Sequence, residues 1–161
     1  MVEHVLHWVK LGMGFVVFWL LLWVYNTRGC QRVEGREMEP TIPAQKTRML
    51  RPLNGSIEEL ERGDVVSFGV VMLGKGVKDV AARVVGLPGD RVRIEKGEVF
   101  VNGSRSAAEY VSPANKSTED YAEVVVPRDS VFLLCDNRKA GLTLDSRAIG
   151  PVLKWALNGR F

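Results

Sequence analysis

The stretch "DRVRIEKGEVFVNG", residues 90–103, decides the fold class. "RVRI" followed by "GEVFV" reads as one β-hairpin with its turn at Lys96-Gly97, because β-type runs flank a short turn containing glycine. Short runs rich in Val and Phe lie on either side of it. They are "DVVSFGVVML" (64–73), "DVAARVVGL" (79–87), "AEVVVP" (122–127) and "SVFLLC" (130–135). "LPGD", "EKGE" and "VNGS" separate several of them as turns. The single helical suggestion is "SIEELERG" (56–63), where Ser56 and Glu59 have the spacing of a capping box for one turn. "SRSAAEYVSPANKSTED" (104–120) reads as a polar, turn-rich loop, and no internal repeat is present. The expected fold is mainly β, a small barrel or a folded-over sheet, over residues 28–161.

A chain of 161 residues with 46% apolar residues can bury one real core. Its net charge of +3 is spread along the sequence, and no basic run is interleaved with aromatics. That argues against nucleic acid as a partner and for a solvated surface or anionic headgroups. Cys30 and Cys135 form no metal-type cluster, and His4 and His7 lie apart from both, so neither a metal nor another cofactor is expected. An oxidising compartment would allow the two cysteines to pair, but free thiols are the expectation.

"LGMGFVVFWLLLWVYNT" (11–27) carries no charge. With Trp8 and Val9 before it, the stretch approaches the ~20 residues of a bilayer-spanning helix. Trp8, Trp19, Trp23 and Tyr25 suit the interfaces. The bulky, charged "YNTRGC" that follows lacks the small-x-small pattern of a cleaved signal peptide. A buried soluble helix would be apolar on one stripe, whereas this one is apolar all round. A single-pass transmembrane helix over residues 8–27 is therefore expected. Arg28, Arg32 and Arg36 follow the uncharged stretch 11–27 and only Lys10 shortly precedes it, which by the positive-inside rule alone would leave the β domain in the cytoplasm.

Four blocks occur in order: "GREMEPTI" (35–42), "RGDVVSF" (62–68), "ARVVGLPGDRV" (82–92) and "DNRKAGLTLDSRAIGPV" (136–152). Together they resemble type I signal peptidases, the membrane-anchored Ser/Lys endopeptidases of the S26 family. The resemblance implies an all-β catalytic domain behind a membrane anchor, on the outer face of a bacterial inner membrane. A mitochondrial inner membrane is the alternative. In the family a serine precedes "M-x-P-T"; here that position is Glu37, followed by Met38, Glu39, Pro40 and Thr41. The family's lysine stands immediately before "R-V-x-G-L-P-G-D"; here it is Ala82, followed by Arg83. Asp136, Asn137 and Arg138 match "D-N-R", with Cys135 in place of a glycine before them. Asp145, Ser146 and Arg147 match a block whose serine orients the lysine and whose Asp-Arg pair braces the site. The loop from Lys139 to Leu144 is about two residues longer than the family spacing.

A serine hydroxyl needs a nearby base, and a desolvated lysine can supply one. Glu37 and Ala82 offer neither group. A glutamate nucleophile would give an anhydride, and its charge opposes the oxyanion that acyl transfer builds. At ~4 Å that repulsion costs about 4 kcal/mol at an effective dielectric of 20, roughly a thousandfold in rate. Strand parity puts Val80, Ala82 and Val84 on one face and Ala81, Arg83 and Val85 on the other, so Arg83 is expected to point away from the site. Lys75 and Lys78 would have to fold back to replace the base. Cys135 lacks a histidine partner and is expected to be a buried, inert thiol.

The leading expectation is a pseudo-peptidase. Met38, Pro40, Arg83, Asp136, Asn137, Asp145, Ser146 and Arg147 would support a retained groove for an extended peptide. Such a protein would hold a secreted or membrane client without cutting it, as an assembly factor; some relatives lacking the dyad are associated with pilus assembly, which makes that one candidate. Otherwise it would serve as a structural subunit, docking through "PVLKWALNGRF" (151–161). The alternative is an active endopeptidase with unorthodox residues.

Overall fold

The structure, a computed structural model, describes residues 10, 12–22, 29–53, 56–106, 111–139 and 144–161. Within the expected membrane span, residues 12–22 are helical, and apolar side chains such as Phe15, Phe18, Trp19 and Leu21 are exposed. Trp8, Val9, Leu11 and residues 23–27 of that span lie outside the described residues. Among the described residues no helix is long and apolar enough to cross a membrane.

The remainder is mainly β. β1 (Gly29–Val33) and β2 (Lys46–Leu50) form an antiparallel pair on either side of the Glu37 loop. β3 (Val65–Met72) and β4 (Gly76–Gly86) form a long hairpin at the centre of a five-stranded antiparallel sheet. On one side β4 is flanked by β9 (Ser130–Leu134) and then β10 (Val152–Leu153). On the other, β3 is flanked by the last strand, β11 (Leu157–Arg160). The second sheet contains β5 (Arg91–Glu95), β6 (Glu98–Val101), β7 (Ser104–Arg105) and β8 (Tyr121–Val125), in the order β7-β6-β5-β8.

The β5–β6 turn falls at Lys96 and Gly97, with φ of 49° and 78°. Positive φ at both central positions matches the right-handed twist of the flanking strands. Gly97 also lies so close to the Ser117 carbonyl that any side chain there would overlap it. In contrast, the segment 56–63 forms turns and no helix. The Ser56 N–H that a capping box would engage goes back to the Leu53 carbonyl at 2.8 Å, and Leu60 N–H closes a tight turn on Ile57.

Residues 80–86 of β4 and all of β9 are buried on both faces. Val80, Ala82 and Val84 of β4 join Val131, Leu133 and Cys135 in one aliphatic core, roofed by Leu53, Ile57 and Leu60. The opposite face of β9 presents Phe132 and Leu134, which pack with Val85, Val92, Ile94 and Val99 to join the two sheets. Each fully buried Val, Leu or Phe among them contributes roughly 1.5–3 kcal/mol. A third, smaller cluster sets Val33, Met38 and Ile42 of the Glu37 loop against Ala81.

Candidate functional site

The loop between β1 and β2 is closed by Gln45 N–H donating to the Val33 carbonyl at 2.7 Å. Inside it, Glu39 N–H reaches the Arg36 carbonyl and Ile42 N–H the Met38 carbonyl. Met38 is the loop's apolar anchor and is fully buried; Pro40, two residues on, is exposed and follows a cis Glu39–Pro40 bond. Polar groups from distant segments complete the attachment. Asn137 donates from its N–H to the Glu37 carbonyl (2.9 Å) and from Nδ2 to the Arg36 carbonyl (3.2 Å). Asn115 donates Nδ2 to the Glu39 carbonyl at 3.0 Å.

Glu37 is only 7% exposed, and its carboxylate folds back over Gly35, whose missing side chain makes the room. Ala82 is wholly buried on β4, opposite Val66 of β3. Cys135 lies between these surroundings: it shares the aliphatic core with Ala82 and feels the Glu37 charge. Burial first, then the negative charges of Asp145 and Glu37, push its thiol well above the usual range. Its Sγ faces the Ala81 carbonyl at 3.7 Å. A thiol in that state is a packing group and a poor nucleophile. Lys75 sits in the turn of the β3–β4 hairpin and Lys78 is exposed on β4. Four residues of strand, about 13 Å, separate Lys78 from Ala82.

Arg83 does not point away from the Glu37 loop. Parity is as expected, with Val80, Ala82 and Val84 in one core, but the Arg83 face is the one that meets Thr41 and Asp136. Arg83 Nε and Nη2 bind Asp136 Oδ1 and Oδ2 at 2.9 and 2.5 Å. Nη1 reaches the Gly63 carbonyl at 2.7 Å and Nη2 also reaches Thr41 Oγ1 at 3.2 Å. The Thr41 hydroxyl in turn donates to Asp136 Oδ2. Because β4 is buried on both faces, alternation alone could not tell which face meets the loop.

Asp145 organises the last block. It accepts from Cys135 N–H (3.1 Å), from Arg147 N–H (3.1 Å) and from Arg147 Nε and Nη2 (3.0 and 2.9 Å). Burial, the largest single effect, pulls the Arg147 guanidinium down, but the Asp145 hydrogen bond and charge, with the Glu119 charge adding to them, outweigh it and hold the group above its ordinary value. Ser146, at the head of the short helix Ser146–Ile149, accepts Leu133 N–H on its Oγ at 2.8 Å. That bond ties the helix to β9 and leaves the hydroxyl directed at backbone. Most of the loop 139–144 lies outside the described residues.

The structure thus brings together Glu37, Met38, Arg83, Asp136 and Asn137 around one loop, with Asp145, Ser146 and Arg147 bracing β9 behind it. Thr41 and Asn115 belong to this arrangement and received no role from the sequence. Thr41 stood inside a quoted motif, but Asn115, 76 residues from Glu39, carried no signal. Among the described residues no cluster of His, Cys, Asp and Glu could hold a metal ion.

Comparison with known proteins places this geometry. The family model for signal peptidase, peptidase S26, matches residues 5–161. The probable signal peptidase I-2 of Synechocystis sp. is 30% identical over 158 residues, covering 95% of this chain and 71% of that protein. Signal peptidase I S of Bacillus subtilis is 31% identical over 155 residues, covering 90% of this chain and 79% of that protein. Among solved structures, a signal peptidase I from Enterococcus faecalis superposes with a TM-score of 0.51 at 26% identity, covering 66% of this chain and 99% of that one.

Proposed function

The chain belongs to the signal peptidase, peptidase S26 family, and from that premise we propose that it is a member that holds peptides without cutting them. The observation that carries this reading is the pair of residues at the positions of the family's serine and lysine. Glu37 places a buried carboxylate at the first, and Ala82 places a methyl group inside an aliphatic core at the second. Acyl transfer by a serine and a lysine needs a hydroxyl nucleophile, a base and donors for an oxyanion. A carboxylate at the first position opposes the developing charge, and an alanine cannot take up a proton.

The loop that would present the substrate is nevertheless kept in a defined shape by Met38, Asn115, Asn137 and the Arg83–Asp136 pair. A retained loop without the reacting groups suits an assembly factor that binds an extended segment of a secreted or membrane protein. In this reading the apolar segment 8–27 anchors the chain in a bacterial inner membrane, with the β domain on the outer face. The bacterial origin of the relatives named above supports that setting.

The test is incubation of the full chain with a preprotein in detergent. No specific cleavage is expected. Cleavage that disappears in Glu37→Gln would overturn the proposal. The double variant Glu37→Ser/Ala82→Lys asks whether the groove survives: cleavage by it, with peptide binding by the unaltered chain, supports holding. A double variant that neither cuts nor binds a signal peptide points to a structural subunit instead. Protease protection in intact spheroplasts reports the orientation.

A further inference from the structure

The β3–β4 hairpin runs past the sheet that holds it. β11 pairs with β3 from Val66 to Phe68, and β9 pairs with β4 from Arg83 to Gly86. Among the described residues no strand flanks the hairpin beyond those registers, and β3 and β4 pair with each other alone from Gly69↔Asp79 out to Met72↔Gly76. The free arm is about 13 Å of strand, closed by a turn over residues 73–75. Its end is apolar and uncovered: Leu73 is 100% exposed, Val71 78% and Val77 68%. Val71 and Val77 stand directly opposite each other, on one face of the arm. Lys75 and Lys78 are exposed beside them, and residues 65–78 contain no acid. Asp79, at the base of the arm, accepts Asn158 Nδ2 at 2.9 Å.

Two further features lie toward the same end of the sheet. Trp155 is 75% exposed in the turn Lys154–Ala156. Because Leu157 pairs with Phe68, that turn packs along β3 on the tip side of Phe68. The second feature is the direction of β1. β2 and β3 both run antiparallel to β11, through Arg51↔Arg160 and Phe68↔Leu157, so both head toward the tip. β1 runs against β2 and starts at Gly29, opposite Leu50, which is its tip-side end. It therefore leads into the domain from the side toward which the arm points.

We propose that the tip of this arm, with Trp155 at its root, sits in the headgroup region of an anionic bilayer. Val71, Leu73 and Val77 enter the acyl boundary, Lys75 and Lys78 meet lipid phosphates, and the Trp155 indole lies at the interface. The shape favours lipid over a protein partner, since a narrow projecting arm offers no groove and a fluid surface needs none. The proposal rests on the membrane-anchored reading above, in which segment 8–27 spans the bilayer. Anchor and arm then make two attachments on one side of the domain. The second raises no new affinity requirement, because the anchor already holds the arm at high local concentration. Together they fix one orientation of the β domain over the membrane.

The experiment places an environment-sensitive fluorophore on Leu73→Cys in a Cys30→Ser background of the full chain. The protein is reconstituted into mixed phosphatidylcholine–phosphatidylglycerol vesicles carrying spin-labelled lipid. Arg128→Cys, exposed in the β8–β9 turn at the opposite end of the sheet, is the reference position. Lipid quenching at 73 is expected to exceed that at 128 by about fivefold. Lys75→Glu/Lys78→Glu should reduce quenching at 73 roughly threefold, as should vesicles of phosphatidylcholine alone. Val71→Asn/Val77→Asn should bring it to within about twofold of the reference. If that variant melts early, the lysine pair, which lies in and beside the turn, carries the test. Equal quenching at 73 and 128 would overturn the proposal. So would a blue-shifted label at 73 that spin-labelled lipid does not reach, since a second copy of the chain would then cover the tip. Resistance to alkaline carbonate extraction reports the anchor separately. A resistant chain with an unquenched tip sinks the arm alone, and an extractable chain with a quenched tip sinks the anchor alone.

Discussion

Arg83 and Asp136 form a two-pronged, buried ion pair, Nε to Oδ1 at 2.9 Å and Nη2 to Oδ2 at 2.5 Å, that joins the central strand β4 to the segment following β9. Thr41 hydrogen-bonds to both, which draws the Glu37 loop into the same contact. A buried pair contributes little net stability over apolar replacements, but removing one partner strands the other charge. Asp136→Ala should therefore cost about 3–5 kcal/mol. Arg83→Met/Asp136→Leu should cost less than Asp136→Ala alone. Urea denaturation of the two variants checks this; a single variant as stable as the unaltered chain contradicts the role given to the pair.

Asp90 predicts an acid sensitivity. Burial alone would raise its carboxyl; the Arg62 side chain, the Leu87 N–H and Asn102 overcome burial and hold it below the ordinary value. The contacts are Arg62 Nε and Nη2 at 3.0 and 2.6 Å, Leu87 N–H at 2.7 Å and Asn102 Nδ2 at 2.8 Å. A carboxyl lowered by folding stabilises the native state above its unfolded pKa of about 4, and that stability is lost as pH falls through the folded value. Urea midpoints taken between pH 6 and pH 3 should fall more steeply for the unaltered chain than for Asp90→Asn. The variant itself should lose roughly 1–3 kcal/mol at neutral pH. Parallel pH curves for the two proteins would count against this account.

The two free cysteines should differ sharply in reactivity. Cys30 is exposed on β1, whereas Cys135 is buried and its thiol is held in the protonated form. N-Ethylmaleimide at pH 8 is expected to label Cys30 within minutes and Cys135 only after denaturation. Glu37→Gln should not release Cys135, because burial is the larger cause of its shift. Rapid native labelling at Cys135, read by peptide mass mapping, would show that the thiol is accessible after all.

Gly35 and Glu37 should be coupled. A methyl group at Gly35 would overlap the Glu37 carboxylate, which is the mobile end of a long side chain. Gly35→Ala should cost under about 1 kcal/mol, most of it from turning that carboxylate out of its place. In a Glu37→Ala background the same change should cost nothing beyond the backbone effect. A double-mutant cycle by urea denaturation measures the difference, and an identical cost in both backgrounds would refute the coupling.

Much of the β domain was legible because local signals agreed with the tertiary outcome. The Lys96-Gly97 turn carried its own backbone chemistry, and the runs at 64–73, 79–87 and 130–135 became strands of one sheet. The segment 56–63 misled because a capping box requires a free Ser56 N–H, and Leu53 had already taken it. Arg83 misled for a different reason. Alternation assigns two faces to a strand, but when both are buried it does not say which neighbour each one meets. Glu37 and Ala82 were singled out from the motifs alone, while the roles of Thr41 and Asn115 and the environment of Cys135 depended on contacts between residues far apart in the chain.

Asn137 holds Glu37 by its carbonyl, and no described hydrogen bond depends on the Glu37 side chain. Ala82 likewise contributes only a methyl group to its core. The Glu37 side chain thus carries no described hydrogen-bonding duty in the fold, whereas position 82 is fitted to a closed core in which a larger residue would crowd its neighbours. Exchange at position 37 leaves the main-chain anchors of the loop in place. The loop is framed by Met38, Arg83 and Asp136, and that frame does not pass through the side chain at 37.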